Sequence, residues 1–403
     1  MNKPQTGVRG RPDFLLLILT LVLTGFGLVM VFSASSNIAA VSDIYRHDAL
    51  YFIKRQLIWA ILGTFVMLLL MNIRYSVFKK GFALLLIPVL ILLILVPFVG
   101  KEINGARSWF GVGSLGIQPT EPAKLALILY LGALISKKGE KFRDFKKGLV
   151  PVIVIVGFIC GIVMLQPDLG SCLVLISCAL IMIVAGGANL KQLFMTGTIG
   201  AVVVAVISAI MMLVEPLQWQ YRISRFTSYL DPLADPLGDG FQLVKSLEAL
   251  GHGGLMGAGL GHSIQKLQYL PYAYNDFIFA VIGEELGFIG SVVFLFFYMM
   301  LLWRGLIVAV RCPDVYGTVV GAGIVGLIAV QAIINIGGVT GTIPITGVTL
   351  PFISYGGSSL LVTLMAMGVL LSISREYNRP AVREVREERA KPQQDRKIAI
   401  LRP

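Results

Sequence analysis

Asp276 is the residue best placed in this sequence to move a proton. It stands in Tyr274-Asn275-Asp276-Phe277, at the mouth of an apolar run. Water and a lipid head group can both reach a carboxylate there, and a positioned carboxylate accepts the proton of an attacking hydroxyl. An Asp just before a helix is equally a good N-cap. Residue type alone leaves both roles open. Glu284 and Glu285 follow about two turns deeper in the same run. Acidic groups at membrane depth are expensive and mark functional cavities or buried ion pairs, so these two suit a structural or network role.

Other polar side chains gather in three stretches. Residues 100–120 hold Lys101, Asn104, Arg107 and Trp109, then Gln118-Pro119-Thr120-Glu121 leading to Lys124. Thr120 or its neighbour is expected to cap a helix, Pro122 suits its first turn, and Glu121 with Lys124 makes an i, i+3 pair. That pair could simply steady the helix start, and Trp109 could be an interfacial belt residue. Residues 241–250 read as a short helix with Gln242, Lys245, Ser246 and Ala249 on one polar stripe and Leu243, Leu247 and Leu250 opposite. A solvated face without a ligand remains an alternative for that stripe. Finally, Pro344, Pro351 and Ser354-Tyr355-Gly356-Gly357-Ser358-Ser359 read as a bent re-entry into a last span, with Ser354 and Tyr355 lining a cavity.

The glycine run Gly251, Gly253, Gly254, Gly257, Gly259 and Gly261 lacks the Gly-Lys-Ser/Thr ending and preceding strand of a phosphate loop. Flexible turns or close backbone approach to a neighbouring helix explain it better. His252 and His262 have no further ligands at zinc spacing.

What must position these groups is a set of membrane helices. The chain of 403 residues is 56% hydrophobic and 14% charged, with a mean hydropathy of +0.82. That composition excludes disordered, collagenous and disulfide-rich secreted classes. Four cysteines without a CxxC exclude a zinc ribbon. Crossing the hydrocarbon core takes about 20 apolar residues. Ten runs qualify, near 14–35, 56–72, 81–99, 121–136, 149–166, 170–186, 193–214, 277–303, 317–337 and 355–374. The first is too long for a signal-peptide core and reads as a retained helix.

Charge sets the orientation. With the N-terminus inside, the inner segments collect 24 of the 34 Lys and Arg but 9 of the 22 acidic residues. Short cytoplasmic loops carry such an excess. The prediction is an all-α polytopic membrane protein with ten transmembrane helices and both termini cytoplasmic. A large extracytoplasmic loop, 215–276, lies between helices 7 and 8. Residues 1–13 are a cytoplasmic N-terminus, 14–374 the membrane domain and 375–403 a basic cytoplasmic tail. The net charge of +12 therefore reports topology and not nucleic-acid binding.

The motifs resemble those of the SEDS family (shape, elongation, division and sporulation) from Phe14 to about Arg375. They are Asn104-Gly105-Ala106-Arg107-Ser108-Trp109, Gln118-Pro119-Thr120-Glu121 with Lys124, Gln242 with Ser246, and the 251–261 glycine run. Asn275-Asp276-Phe277-Ile278-Phe279-Ala280, Gly283-Glu284-Glu285-Leu286-Gly287 and Leu350-Pro351-Phe352-Ile353-Ser354-Tyr355-Gly356-Gly357-Ser358-Ser359 follow in order. Val29 to Ser36 and the Gly-Glu-Glu-Leu-Gly form are more similar to the division and sporulation branch than to the RodA elongation branch. Pro122 and Thr342 depart from the family pattern without removing a charged motif residue.

The resemblance implies a peptidoglycan glycosyltransferase that polymerises lipid II on the outer face of the bacterial cytoplasmic membrane during septal wall synthesis. It implies a class B penicillin-binding protein as transpeptidase partner, beside other division proteins. The family's essential acid falls on Asp276. Arg107, Trp109, Glu121, Lys124, Gln242, Lys245 and Ser246 then become substrate-binding candidates, with Arg222 and Arg225 behind them. No cofactor follows with certainty. A divalent cation such as Mg²⁺ is one means of stabilising the leaving pyrophosphate, and its ligands are unassigned. The rival readings are a flippase for lipid II and a non-catalytic scaffold for a transpeptidase.

Overall fold

The structure is a computed structural model. It describes residues 10–103, 106–112, 115–214, 229–238 and 240–378. Asn104, Arg222, Arg225 and the tail beyond 378 lie outside these described residues.

The chain is mostly helical. In order come α1 (Phe14–Val41), α2 (Tyr51–Asn72), α3 (Tyr75–Val99), α4 (Thr120–Lys138), α5 (Val150–Met164), α6 (Leu169–Ala185) and α7 (Leu190–Val214). Then follow α8 (Phe241–Gly253), α9 (Ile278–Val310), α10 (Val315–Val339) and α11 (Gly357–Tyr377). Each apolar run predicted from sequence overlaps one of these helices, and α8 is the additional, shorter one. Among the described residues six helices are long and apolar enough to cross a membrane, or seven if the bent α3 is one span. Its bend of 56° between Gly81 and Leu85 lies a turn before Pro88, which cannot donate to the carbonyl four residues back.

Residues 101–117 depart from the all-α expectation. They form a small antiparallel sheet, β1 (Lys101–Ile103), β2 (Ala106–Val112) and β3 (Leu115–Ile117), in the order β1-β2-β3. Ile103 pairs with Ala106 and Val112 with Leu115, so two residues join each pair of strands. Those dipeptides are Asn-Gly and Gly-Ser; Asn-Gly suits a type I′ hairpin and a leading Gly a type II′. The Asn-Gly and Gly-Ser pairs carry that signal in the sequence, within a stretch too short and polar to be a span.

Two sets of contacts tie the ends of the bundle. At one, the Asp13 carboxylate accepts from Arg304 Nε at 2.8 and 3.1 Å and also caps α1 through Leu16 N at 3.1 Å. Arg375 Nη1 donates to Asn72 Oδ1 at 2.6 Å and Asn378 Nδ2 to the Arg11 carbonyl at 2.9 Å. The N-terminus, the end of α2, α9 and the end of α11 therefore meet on one side. The other end of α2 carries Phe52 into a cluster with Tyr45, Tyr274 and Tyr355. A 22-residue helix separates those ends by about 33 Å.

α9 is a broken helix. Gly287 has φ +67° and ψ −170°, so carbonyls before it and amides after it lose their helical partners. Unpaired backbone groups inside a bilayer cost several kcal/mol each. The glycine run supplies the missing partners. Ala258 N donates to Glu284 O at 2.9 Å and Gly259 N to Glu285 O at 3.0 Å, while Phe288 N and Ile289 N donate to the carbonyls of Gly254 and Leu255. Such an approach needs bare backbone: a Cβ on Gly257 would sit 2.3 Å from Glu285 O. Gly257 also has φ +84°. Gly257→Ala combines a left-handed backbone penalty with overpacking, for an expected loss of about 2–4 kcal/mol. Gly251→Ala, with nothing within 4 Å of its new Cβ, should match or exceed the parent's stability. Thermal melts of the two purified variants check the contrast.

Candidate active site

Asp276 sits in a run of turns between two buried aromatic anchors, Tyr274 and Phe277. Tyr274 packs on Phe52 at 4.4 Å, and its carbonyl accepts from Tyr355 N at 2.9 Å. The loop is thereby held to α2 and to the turns of segment 340–356. Asp276 does not cap α9: the cap position belongs to Phe277, and no side chain bonds there. Among the described residues the Asp276 carboxylate has no hydrogen-bond or ion-pair partner. It borders a small open pocket, with room for about one water molecule, walled by the end of α10 and by Ile345 to Val348. Burial against these largely apolar walls, with no cation to offset it, pushes the carboxyl up from 3.8 to about 7. A carboxyl so tuned exchanges its proton near neutral pH, as a general base should.

The pocket wall depends on buried amides that the sequence reading did not single out. Asn335 on α10 donates from Nδ2 to the Asp276 carbonyl at 2.7 Å and to the Val348 carbonyl at 2.8 Å. Gln56 on α2 donates to the Ser354 carbonyl at 3.1 Å and accepts from Gly356 N at 3.3 Å. Ser354 closes the same turn by accepting from Leu350 N at 2.9 Å. The turn reaches α1 because residue 27 is glycine: a Cβ there would lie 2.2 Å from the Phe352 carbonyl. A lone amide in an apolar run was the available signal, since buried polar groups must find partners.

The predicted substrate-binding residues are dispersed around this end. Glu121 and Lys124 form a buried pair, Nζ to Oε1 at 2.8 Å, and among the described residues neither bonds to Asp276. Thr120 is not a cap. Pro119 holds that position, without a side-chain bond, and the Thr120 hydroxyl is buried unpartnered. Arg107 is exposed on β2, and Trp109 covers Gly116.

The expected stripe on α8 divides. Ser246 and Ala249 are buried, the Ser246 hydroxyl donating to the Val339 carbonyl at 2.7 Å, whereas Leu247 is exposed. Packing of α8 on α9 and the end of α10 selects a face that includes the small polar residue. Lys245 keeps an exposed side and pairs with Glu248 at 2.6 Å. Gln242 is half-buried.

Glu284 and Glu285 are fully satisfied. Glu284 accepts from His252 Nδ1 at 2.9 Å, Ile264 N at 2.9 Å and the Ser263 hydroxyl. Glu285 accepts from the Ser33 hydroxyl at 2.6 Å and from Lys266 Nζ at 2.7 Å. Among the described residues no three His, Cys, Asp or Glu converge as a metal site.

With this geometry in view, comparison with known proteins places the chain. The family model described as "Cell cycle protein", for FtsW, RodA and SpoVE, matches residues 14–379. The chain belongs to this family. It is 48% identical over 377 residues to stage V sporulation protein E of Bacillus subtilis (strain 168), covering 93% of this chain and all of that one. The probable peptidoglycan glycosyltransferase FtsW of the same organism is 41% identical over 368 residues, 90% of each chain. Among solved structures, a chain of a peptidoglycan synthase complex superposes with TM-score 0.74 at 30% identity, covering 91% of this chain and 98% of that one. Thermus thermophilus RodA gives 0.63 at 26%, covering 91% and 98%. The FtsW/RodA/SpoVE fold is thus shared along nearly the whole chain.

Proposed function

We propose that this protein is a peptidoglycan glycosyltransferase that polymerises lipid II at the outer face of the bacterial cytoplasmic membrane, with Asp276 as its general base. The unpartnered carboxylate, raised to about 7 in an open pocket, carries this reading within a family whose members include named glycosyltransferases. Chain extension needs the 4-hydroxyl of one sugar to attack the anomeric carbon of another that bears a lipid pyrophosphate. Asp276 takes the hydroxyl proton as the new glycosidic bond forms, and the bond to pyrophosphate breaks on the opposite face. One direct displacement inverts the anomeric carbon and needs no glycosyl-enzyme intermediate.

Arg107 and Lys245 are the proposed cations for the developing pyrophosphate charge, whereas Lys124 is committed to its buried pair with Glu121. Trp109 and Gln242 complete the proposed binding surface, and the buried Glu121 and Ser246 support it through their bonds to Lys124 and to the Val339 carbonyl. The proposal takes ten spans with both termini in the cytoplasm, an arrangement in which Asp276 faces outside. A class B transpeptidase cross-links the product at the septum in this proposal. A transporter would need an open half-helix end to hold its cargo. The break in α9 is instead filled by the chain's own backbone.

The deciding experiment is glycan-chain formation from purified lipid II by the parent and Asp276→Asn, with and without the class B partner, beside lipid II transport in vesicles. Polymer from the parent alone supports the proposal, whereas equal polymer from both overturns the base. Transport without polymer would favour the flippase. Arg107→Ala and Lys245→Ala should each slow polymerisation about tenfold to a hundredfold while inserting normally. Unaltered turnover in both moves the pyrophosphate site elsewhere.

A further inference from the structure

We propose that Asn335 is the positioning residue for Asp276, its single amide locking the catalytic loop to the wall of the pocket. The inference rests on the reading of Asp276 as the base. Asn335 lies near the end of the apolar helix α10 and is 4% exposed. A side-chain amide has two N–H donors, and both here are spent on main-chain carbonyls of separate segments, Asp276 at 2.7 Å and Val348 at 2.8 Å. Neither segment is helix or strand, so those carbonyls have no ladder to satisfy them. The two acceptors also fix the amide's orientation, because a flipped Oδ1 would face two carbonyl oxygens.

The clamp governs where the carboxylate stands. Gly347 is the residue before Val348, and a Cβ built on it would lie 3.7 Å from Asp276 Oδ2. Its φ of +75° bends the wall so that bare backbone approaches the carboxylate. One side of the Asn335 amide holds the peptide that carries the acid, and the other holds the peptide beside the surface the acid rests on. Among the described residues no other ionisable side chain lines this pocket, and packing and this amide set its geometry. Displacing a reacting group by about 1 Å can cost about a hundredfold in rate.

Purified full-length protein and lipid II test this, with steady-state rates measured across pH for the parent, Asn335→Ala and Asp276→Asn. Asn335→Ala should lower kcat about a hundredfold with KM within about twofold, as expected for a misplaced base. Its acid limb should move below the parent's as the released carboxylate gains water. Asn335→Asp keeps the volume, and its ionised form loses both donations; it serves if the alanine variant does not fold, with the same loss of kcat expected. Parent-like kcat in a folded Asn335 variant, while Asp276→Asn is inactive, overturns the positioning role and leaves the base standing. A lower rate with an unmoved acid limb and a matching loss of thermal stability assigns Asn335 a structural role only. Parent-like rate in Asp276→Asn overturns the base and the positioning role together.

Discussion

Asp276→Asn should abolish glycan polymerisation, with a loss of about a hundredfold to ten-thousandfold, yet fold at least as well as the parent. The asymmetry follows from the site. The carboxylate has no partner among the described residues, so the substitution breaks no hydrogen bond or ion pair, and the amide fits the same space. The cost of the wild-type arrangement is desolvation of a charge. Because the folded carboxyl titrates near 7 and the unfolded one near 3.8, the folded protein keeps a proton between those values that the unfolded chain has released. Its contribution to stability is full at acid pH and is lost as pH rises towards 7. The Asn variant has no such dependence. The parent's melting temperature relative to the Asn variant should be highest below pH 3.8, fall steadily between 3.8 and 7, and level off above 7, leaving the variant the more stable at pH 8.

The parent's rate should respond in the opposite sense, rising about tenfold per pH unit below 7 and levelling above it, because only the ionised form accepts a proton. Paired melting curves and pH–rate profiles check both. A variant less stable than its parent at pH 8 would show that Asp276 has a structural partner. A rate independent of pH between 5 and 8 would remove the carboxyl from the chemistry.

The helices were legible in sequence, and Asp276 drew notice as a candidate, for one reason. A bilayer demands long apolar runs, and a carboxylate at the end of such a run is conspicuous. Asn335 was hidden because its partners lie 59 and 13 residues away, and local pattern does not bring such segments together. Gln56 joins segments 298 residues apart and was hidden for the same cause. On α8, helical periodicity separated polar from apolar residues but did not reveal that the helix packs on two neighbours. Ser246 therefore went inward and Leu247 outward. The sheet at 101–117 was readable from Asn-Gly and from its short alternating strands. It was missed because hydropathy windows for spans average over anything so small.

For the glycine run the sequence left flexible turns and close backbone approach both open, and its purpose appears only with the break at Gly287. Beneath that break, Glu285→Ala should be among the most damaging single substitutions, at about 3–5 kcal/mol, because it leaves Lys266 as a buried charge without its counter-ion. Lys266 and Glu285 are 2.7 Å apart and their side chains are 6% and 0% exposed. Ser33 completes the group by donating to Glu285 and accepting from Lys266 at 3.0 Å. Ser33 of α1 meets the loop after α8 and the start of α9, more than 230 residues on, in this one cluster.

The pair's net worth is smaller than the loss on breaking it, since two charges had to be taken from water to form it. Replacing both partners by apolar residues, Lys266→Met with Glu285→Leu, should therefore recover most of the stability that Glu285→Ala removes. Polymerase activity should follow stability across this series, because the cluster touches neither Asp276 nor its pocket. Melting temperatures and lipid II turnover of the single and double variants measure the two quantities separately. An active, stable Glu285→Ala protein would refute the structural role of this ion pair. A stable double variant without activity would place this cluster in the reaction itself.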